Sequence, residues 1–235
     1  MRTVLITRPR AQAEAFAGGL QAAGFEPVFF PLIEIQPIWP NLSLQRALQK
    51  LDCYDWLVFT SVNGVEAVWH CLSEFGLTML PPAVRVAAIG PKTGEALKAH
   101  GIRLDFVPAE YVAEAILPGL GDLCGRWVLL PRAEIARPAL PEAIQQAGGV
   151  AHEIAVYRTL PAAPDPEGLQ ALRRGVAVVT LTSPSTVHHF VTIVRAARLD
   201  PLALPGDPLF ACIGPITEQA ARQAGLSRRI MAEEY

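Results

Sequence analysis

The sequence predicts an α/β protein built from two similar halves, each with a parallel β-sheet. Three observations predict this fold. Short apolar runs alternate with helical patterns along the chain, one strand-turn-helix pattern occurs twice, and two proline-rich stretches interrupt the alternation. With 235 residues, 51% of them hydrophobic, the chain can fill one large core or two cores of ordinary domain size.

The repeated pattern is clearest in residues 86–101, VAAIGPKTGEALKAHG, and residues 210–225, FACIGPITEQAARQAG. In each, four apolar residues predict a buried strand, Gly-Pro predicts a turn into a helix, and the last glycine predicts the helix end. The two copies are 124 positions apart (214 − 90 = 124). Identical residues at equivalent positions are Ala87 and Ala211, Ile89 and Ile213, Gly90 and Gly214, Pro91 and Pro215, Thr93 and Thr217, Ala96 and Ala220, and Gly101 and Gly225.

The first part of the chain predicts a strand over residues 3–7, a helix over about 12–23 and a strand over 26–33. Gly24 is the expected end of the helix. Pro31, Pro37 and Pro40 then surround residues 34–36, a stretch too rich in proline for a central strand. We therefore expect a linker there.

The middle of the chain continues the alternation. Its predicted elements are a helix over 44–50, a strand over 56–59, a helix up to residue 75, the strand and helix of the first repeat, a strand over 104–107, a helix after Tyr111 and a strand over 127–130. Ser61 is the expected N-cap of the helix that follows residue 59.

The last part repeats the first. Its predicted elements are a helix within 131–148, a strand over 150–157, a second proline-rich linker over 161–166, a helix near Leu169, a strand over 176–181, a helix over 184–197 and the second repeat. We expect a discontinuous domain of residues 1–36 and 160–235, a second domain of residues 37–159, and linkers near 34–40 and 157–166. Tyr235 corresponds to Tyr111, so we expect either a longer natural chain or a second copy without the helix predicted at 112–117.

Composition and charge exclude several classes of protein. The formal net charge of −2 gives no general attraction to nucleic acid or to an anionic membrane. The four cysteines form no Cys-x-x-Cys pair and are expected to be core residues in a reducing compartment. His188 and His189 lack the spacing of a helical metal pair, so no metal site is expected. No long uncharged apolar run occurs, and we expect a cytoplasmic protein.

The helix starts are candidate anion sites. The first-turn amides near Lys92, Thr93 and Gly94, with the Thr93 hydroxyl, are expected at the carboxyl edge of the sheet, where the helix dipole favours a carboxylate. An ordinary strand-to-helix turn is the alternative interpretation.

Seven short motifs together resemble the uroporphyrinogen-III synthase family over essentially the whole chain. They are Thr7-Arg8-Pro9, Phe59-Thr60-Ser61, Ile89-Gly90-Pro91-Lys92-Thr93, Leu130-Pro131-Arg132, Val156-Tyr157-Arg158-Thr159, Leu181-Thr182-Ser183-Pro184-Ser185 and Ile213-Gly214-Pro215-Ile216-Thr217. The resemblance implies two Rossmann-like or flavodoxin-like domains joined by a two-stranded β-ladder, with the active site in the interdomain cleft.

The resemblance also implies the reaction. Family members cyclise hydroxymethylbilane, a linear tetrapyrrole with eight carboxylates, to uroporphyrinogen III, with loss of water and inversion of the last ring through a spiro-pyrrolenine. No cofactor is used, and we expect a monomer whose partner is this small substrate. Tyr157 matches the proposed acid of the family; packing between domains is its alternative role.

The expected substrate-binding residues belong to both halves. They are Thr7, Arg8, Ser183, Ser185, Gly214 and Thr217 in one, and Ser61, Asn63, Gly90, Lys92, Thr93 and Arg132 in the other. For the hydroxyls the alternative role is N-capping, and Arg8 and Arg132 could equally be solvated charges at helix starts.

Two other classes stay open. A two-domain small-molecule binding module would bind a tetrapyrrole or another anion without turnover. A nucleotide-dependent enzyme is disfavoured because neither G-x-G-x-x-G nor G-x-x-x-x-G-K-[ST] follows a predicted strand.

Overall fold

The computed structural model describes residues 2–76, 80–109 and 113–233. The chain divides into two compact units, residues 1–34 with 160–235, and residues 35–159. The predicted α/β class is confirmed, since each unit has a five-stranded sheet with helices between its strands. None of the described helices is long and apolar enough to span a membrane.

The strands follow the chain in order. They are β1 (Arg2–Ile6), β2 (Phe25–Phe29), β3 (Ile33–Pro37), β4 (Trp56–Phe59), β5 (Arg85–Ala88), β6 (Trp127–Ala133), β7 (Val150–Pro161), β8 (Val178–Leu181), β9 (Leu209–Cys212) and β10 (Arg229–Met231). The α-helices are α1 (Glu14–Ala22), α2 (Leu42–Gln49), α3 (Val62–Glu74), α4 (Pro91–Ala99), α5 (Leu117–Leu120), α6 (Ala139–Gln146), α7 (Pro166–Arg174), α8 (Pro184–Ala196) and α9 (Pro215–Gln223). Short 3₁₀ turns cover Arg10–Gln12, Leu51–Cys53 and Ala113–Ile116.

The sheet of the first unit has the order β10-β9-β8-β1-β2, and its neighbouring strands are parallel. The sheet that contains the strands of the second unit has the order β3-β7-β6-β4-β5, with parallel pairing from β7 to β5. The carboxyl ends of parallel strands lie at one edge of a sheet. The helix starts that follow these strands therefore lie at the same edge.

Two long-range hydrogen bonds define the direction of β3. The Ile38 amide donates to the Val156 carbonyl at 3.0 Å, and the Ala162 amide donates to the Leu32 carbonyl at 3.1 Å. One partner number rises as the other falls, so the segments run antiparallel. Residues 33–37 thus form an edge strand, where proline is tolerated, as expected for a stretch too rich in proline for a central strand.

Alternation along β4 explains why the parallel strands read as continuous apolar runs. Leu57 and Phe59 pack in one core with Val86, while Trp56 and Val58 pack in another core on the opposite face. Both faces are buried, as in parallel sheets covered by helices on both sides.

Three predicted elements need correction, and one strand was not predicted. The predicted strand 26–33 is divided between β2 and β3. The predicted strand 104–107 is reduced to one bridge between Phe106 and Ala87. Strand β6 extends through residue 133, so α6 starts later than the repeat predicted. Strand β10 was not predicted, although in the 124-residue repeat its residues are equivalent to residues 105–107, which lie in the predicted strand 104–107. Tyr111, Val112 and Tyr235 lie outside the described residues.

The cysteines divide into two kinds. Cys71 and Cys212 are buried, and burial raises the pKa of both thiols. Cys53 and Cys124 are exposed, so the expectation that all four are core residues is wrong for these two.

Candidate active site

The two serines that follow equivalent strands are both helix N-caps. Oγ of Ser61 accepts a hydrogen bond from the Gly64 amide at 3.1 Å, which confirms its predicted capping role for α3. Oγ of Ser183 accepts from the Thr186 amide at 3.2 Å and caps α8. Each serine thus stands at the start of a helix, beside amides that favour negative charge.

Glycine lets the first turn of α3 approach the sheet closely. A Cβ on Gly64 would lie 2.8 Å from the Pro131 carbonyl oxygen, closer than real Cβ contacts allow. Gly64 is buried in this contact. A larger side chain would push the start of α3, and Ser61 with it, away from β6.

The phenol of Tyr157 reaches this helix start from β7. Its hydroxyl donates to Oγ of Ser61 at 3.1 Å, and the residue is only 9% exposed. Tyr157 packs in the core that also contains Phe59 and Val65. The strand and the core together fix the phenol against the Ser61 hydroxyl.

A cavity of about 290 Å³ lies beside this pair, within the second unit. Its walls are mainly apolar, from β3 and the segment after it, and its polar lining includes Asn63, Glu66 and His70 of α3 together with Tyr157. The rings of Trp39 and His70 meet edge to face at 4.9 Å between centroids.

The repeated Gly-Pro turns form two more helix starts. Gly90 and Gly214 are the N-caps of α4 and α9, and in both the first intrahelical bond to the cap carbonyl comes from the residue four positions on. The amides of Lys92 and Thr93 precede that bond, so they have no partner inside α4. Lys92 itself is exposed.

Thr93 and Thr217 hold equivalent places in these two first turns. Thr93 is 5% exposed and Thr217 is 3% exposed. Within the described residues, neither hydroxyl has a hydrogen-bond partner, and neither oxygen is among the fully buried unpaired atoms, so both hydroxyls are open to a partner from outside the chain. An anion at the helix start would supply the missing partner.

Thr7 and Arg8, two adjacent residues predicted to bind the substrate, differ in burial and in their contacts. Thr7 is fully buried, and its hydroxyl donates to the Thr180 carbonyl at 2.6 Å. The expected direct contact of Thr7 with a ligand is therefore corrected to a bond that ties β1 to β8. Arg8 is half-buried, lines a largely apolar cavity of about 290 Å³ in the first unit, and forms no ion pair with the described residues.

Ser185 is exposed, and its Oγ lies 2.9 Å from Oγ of Ser183, so the two hydroxyls lie together at the start of α8. Asn63, in the first turn of α3, is half-buried.

Arg132 corrects another expectation. It lies within β6 and not at a helix start, and its side chain is only 8% exposed. Its guanidinium donates to the Glu153 carboxylate at 2.9 Å and to the Arg137 carbonyl at 2.6 Å. The alternative interpretation, that Arg132 is a solvated charge at a helix start, is wrong because these contacts hold its side chain inside the unit. Its Nε atom is buried and has no partner among the described residues.

Sequence reasoning missed Trp39 and His70 in the cavity beside Tyr157. Asn63, Glu66 and His70 are spaced three and four residues apart along α3, which places them on one helix face and could have indicated a lining. Trp39 carries no comparable signal. Among the described residues, no group of three or more His, Cys, Asp or Glu side chains could hold a metal ion.

The fold and the site define a duplicated α/β protein that presents hydroxyls and helix N-termini at the carboxyl edges of its parallel sheets. A family model described as "Uroporphyrinogen-III synthase HemD" matches residues 14–235. The chain belongs to this family.

Individual relatives agree over nearly the full length. The uroporphyrinogen-III synthase of Synechococcus elongatus is 29% identical, with 100% of this chain and 90% of that protein covered. The uroporphyrinogen-III synthase of Chlorobaculum parvum is also 29% identical, with 100% and 94% covered.

Two crystal structures share the fold. A mutant uroporphyrinogen III synthase from Thermus thermophilus superposes with a TM-score of 0.64 at 22% identity, covering 100% of this chain and 94% of the other. The uroporphyrinogen-III synthetase of Helicobacter pylori also gives 0.64, at 18% identity, covering 100% and 93%. At these identities the likeness supports the α/β fold alone.

Proposed function

We infer that this chain is a uroporphyrinogen-III synthase, which cyclises hydroxymethylbilane to uroporphyrinogen III in porphyrin biosynthesis. The match to the family over residues 14–235 carries the inference. The hydroxyl-lined helix starts and the phenol of Tyr157 supply the groups that such a reaction needs.

The reaction itself is mainly a problem of positioning. The terminal hydroxyl leaves as water, and the resulting azafulvene carbon is attacked by the substituted α-carbon of ring D. The spiro-pyrrolenine then fragments and closes again with that ring inverted. Closure at the neighbouring carbon would give the symmetric isomer, so the protein accelerates one outcome by holding one carbon near the electrophile.

We propose that the carboxylates of the substrate bind at the helix starts. The candidate contacts are Arg8, Ser61, Asn63, Lys92, Thr93, Ser183, Ser185 and Thr217, with backbone amides after Gly90 and Gly214. Thr7 and Arg132 then act indirectly, Thr7 by joining β1 to β8 and Arg132 by its bonds to Glu153 and Arg137.

Tyr157 is the proposed source of the proton that the leaving hydroxyl needs. A phenol can donate its proton as a general acid. Because the azafulvene also forms readily without an enzyme, the proton contributes only part of the rate. We also propose that the enzyme needs no cofactor and acts as a cytoplasmic monomer.

The deciding experiment adds the purified protein to freshly generated hydroxymethylbilane, without metal or nucleotide, and separates the oxidised products by isomer. Predominantly type III product is expected. Only type I product from folded protein that binds the tetrapyrrole would overturn the inference and favour a binding module without turnover.

A further inference from the structure

The hydroxyl hydrogen of Tyr157 already forms a hydrogen bond to one acceptor. The phenol donates to Oγ of Ser61 at 3.1 Å, and the tyrosine is 9% exposed. Direct transfer from the phenol to a substrate would require this hydrogen bond to break first. The arrangement therefore favours transfer along the existing bond.

Ser61 can pass a proton on without any rearrangement. A hydroxyl accepts through two lone pairs and donates one hydrogen. Oγ of Ser61 accepts from the Gly64 amide and from Tyr157, both at 3.1 Å, so both lone pairs are used. Its remaining capacity is its own O–H, and Ser61 is half-buried while Tyr157 is buried.

The helix start supports the same direction of transfer. The amides of the first turn of α3 and the helix dipole stabilise negative charge on Ser61 as it loses its proton. The equivalent serine of the other half lacks this arrangement: Ser183 contacts Ser185 and Thr186. The phenol-to-serine bond thus distinguishes one copy of the repeat.

We propose that Ser61 is the group that protonates the leaving hydroxyl, and that Tyr157 replaces its proton. In this role the one hydrogen of Ser61 goes to the leaving hydroxyl, so at this helix start a substrate carboxylate binds the first-turn amides of α3 and not the serine hydroxyl. This inference rests on the proposed synthase function. The bond between the substrate carbon and oxygen breaks, and its electron pair stays on oxygen. That oxygen takes the Ser61 proton and leaves as water. Ser61 takes the phenol proton, and the tyrosinate regains one when the closing macrocycle loses a proton.

The test compares kcat and KM for type III formation in single and double variants. Ser61→Gly removes the hydroxyl but keeps a residue that caps helices almost as well, so α3 is retained. Tyr157→Phe removes the phenol hydroxyl, and Ser61→Thr retains a hydroxyl. Asp165→Gly, at the N-cap of α7 outside the site, measures the effect of losing a capping side chain alone.

Groups that act as one unit are not additive. We expect Ser61→Gly and Tyr157→Phe each to lower kcat by about 10-fold, which is below the usual effect of general acid catalysis because the azafulvene also forms readily without an enzyme. The double variant should be no slower, and Ser61→Thr should keep most of kcat. Unchanged kcat in Ser61→Gly beside a slow Tyr157→Phe would overturn the relay, as would effects that multiply. A wild-type protein that forms only type I product would instead refute the synthase function.

Discussion

The phenol oxygen of Tyr157 lies 3.1 Å from Oγ of Ser61, so one hydrogen bond joins the long strand β7 to the first turn of α3. The same serine oxygen caps α3 through the Gly64 amide. A proton donor is therefore fixed to a helix start, which also attracts anions. Positioning and proton supply depend on the same pair of residues.

Replacing Tyr157 with phenylalanine should slow the enzyme without stopping it. We expect kcat for type III formation to fall about 10-fold, because the leaving hydroxyl loses its proton supply while the positioning contacts remain. Steady-state assays with isomer analysis measure this.

Tyr54→Phe is the matched control for that variant. Tyr54 comes just before β4, at the amino end of the parallel strands, whereas Ser61 follows their carboxyl end. The Tyr54 hydroxyl lies 2.5 Å from Nδ1 of His152. We expect its kcat to stay at the wild-type value. A folded Tyr157→Phe protein with no activity, or with full activity, would contradict the partial role assigned to Tyr157.

Replacing Arg8 with glutamine should weaken substrate binding. Arg8 is half-buried beside a cavity and forms no ion pair within the described part of the chain. A hydrogen bond to a charged group contributes about 1.5–3 kcal/mol, so KM should rise about 10-fold or more, and the increase should shrink at high salt. Arg10→Gln is the control, since the Arg10 guanidinium stacks on Phe29 at 4.5 Å. Equal KM values for the two variants would exclude Arg8 as a carboxylate contact.

Thr93 and Thr180 are two buried threonines for which we expect opposite results. The Thr93 hydroxyl has no partner among the described residues, whereas the Thr180 hydroxyl donates to the Leu5 carbonyl at 3.2 Å and lies 3.3 Å from the Thr7 amide. Thr93→Val should raise KM and leave the free energy of unfolding unchanged. Thr180→Val should lower that free energy by about 1–3 kcal/mol, because it leaves buried groups unpaired.

Urea denaturation and steady-state kinetics on the same preparations separate these effects. Loss of stability without a change of KM in Thr93→Val would assign its hydroxyl to the fold and not to the ligand.

The sequence predicted what local patterns control. Apolar runs predicted β4 and β5, and Ser61 was identified as an N-cap because serine, strand end and helix start are adjacent in the chain. It could not identify the Tyr157 to Ser61 hydrogen bond, whose partners are far apart in sequence and meet only through packing of β7 against α3.

At Arg132 the sequence predicted a helix start where the structure continues a strand. The repeat predicted that Leu130-Pro131-Arg132 would turn into a helix as residues 6–8 do, but pairing with β7 continues through residue 133. Proline disfavours the interior of a central strand, so Pro131 indicated a strand end, but in the structure Pro131 pairs with Ile154 within β6. The burial of Arg132 depends on Glu153, which lies on the neighbouring strand.

Removing the partner of Arg132 should therefore destabilise the second unit. Glu153→Gln leaves a buried guanidinium without its carboxylate, and we expect a loss of about 1–3 kcal/mol in the free energy of unfolding. Glu134→Gln is the control, because its arginine partner, Arg158, is 47% exposed and surface pairs contribute about 0–1 kcal/mol. Urea denaturation compares the two, and equal losses would contradict a structural role for the pair of the buried Arg132 with Glu153, whose side chain is 47% exposed.

Asp55 should make stability depend on acid pH. Its carboxylate accepts from Arg126 at 2.7 Å and from the Trp127 amide at 2.9 Å. Burial raises the pKa of Asp55, but the Trp127 amide and the Arg126 and Arg85 charges outweigh it, so the pKa is lowered overall. A lowered folded-state pKa means stabilisation that is present above the unfolded value, about 4, and lost as pH falls through the folded value.

We therefore expect Asp55→Asn to unfold at lower urea concentration than wild type at pH 7, with a difference that shrinks as the pH falls below about 4. Asparagine keeps an acceptor for the Trp127 amide but loses the charge that faces Arg126. A difference that stays constant down to pH about 3 would show that folding does not lower the pKa of Asp55.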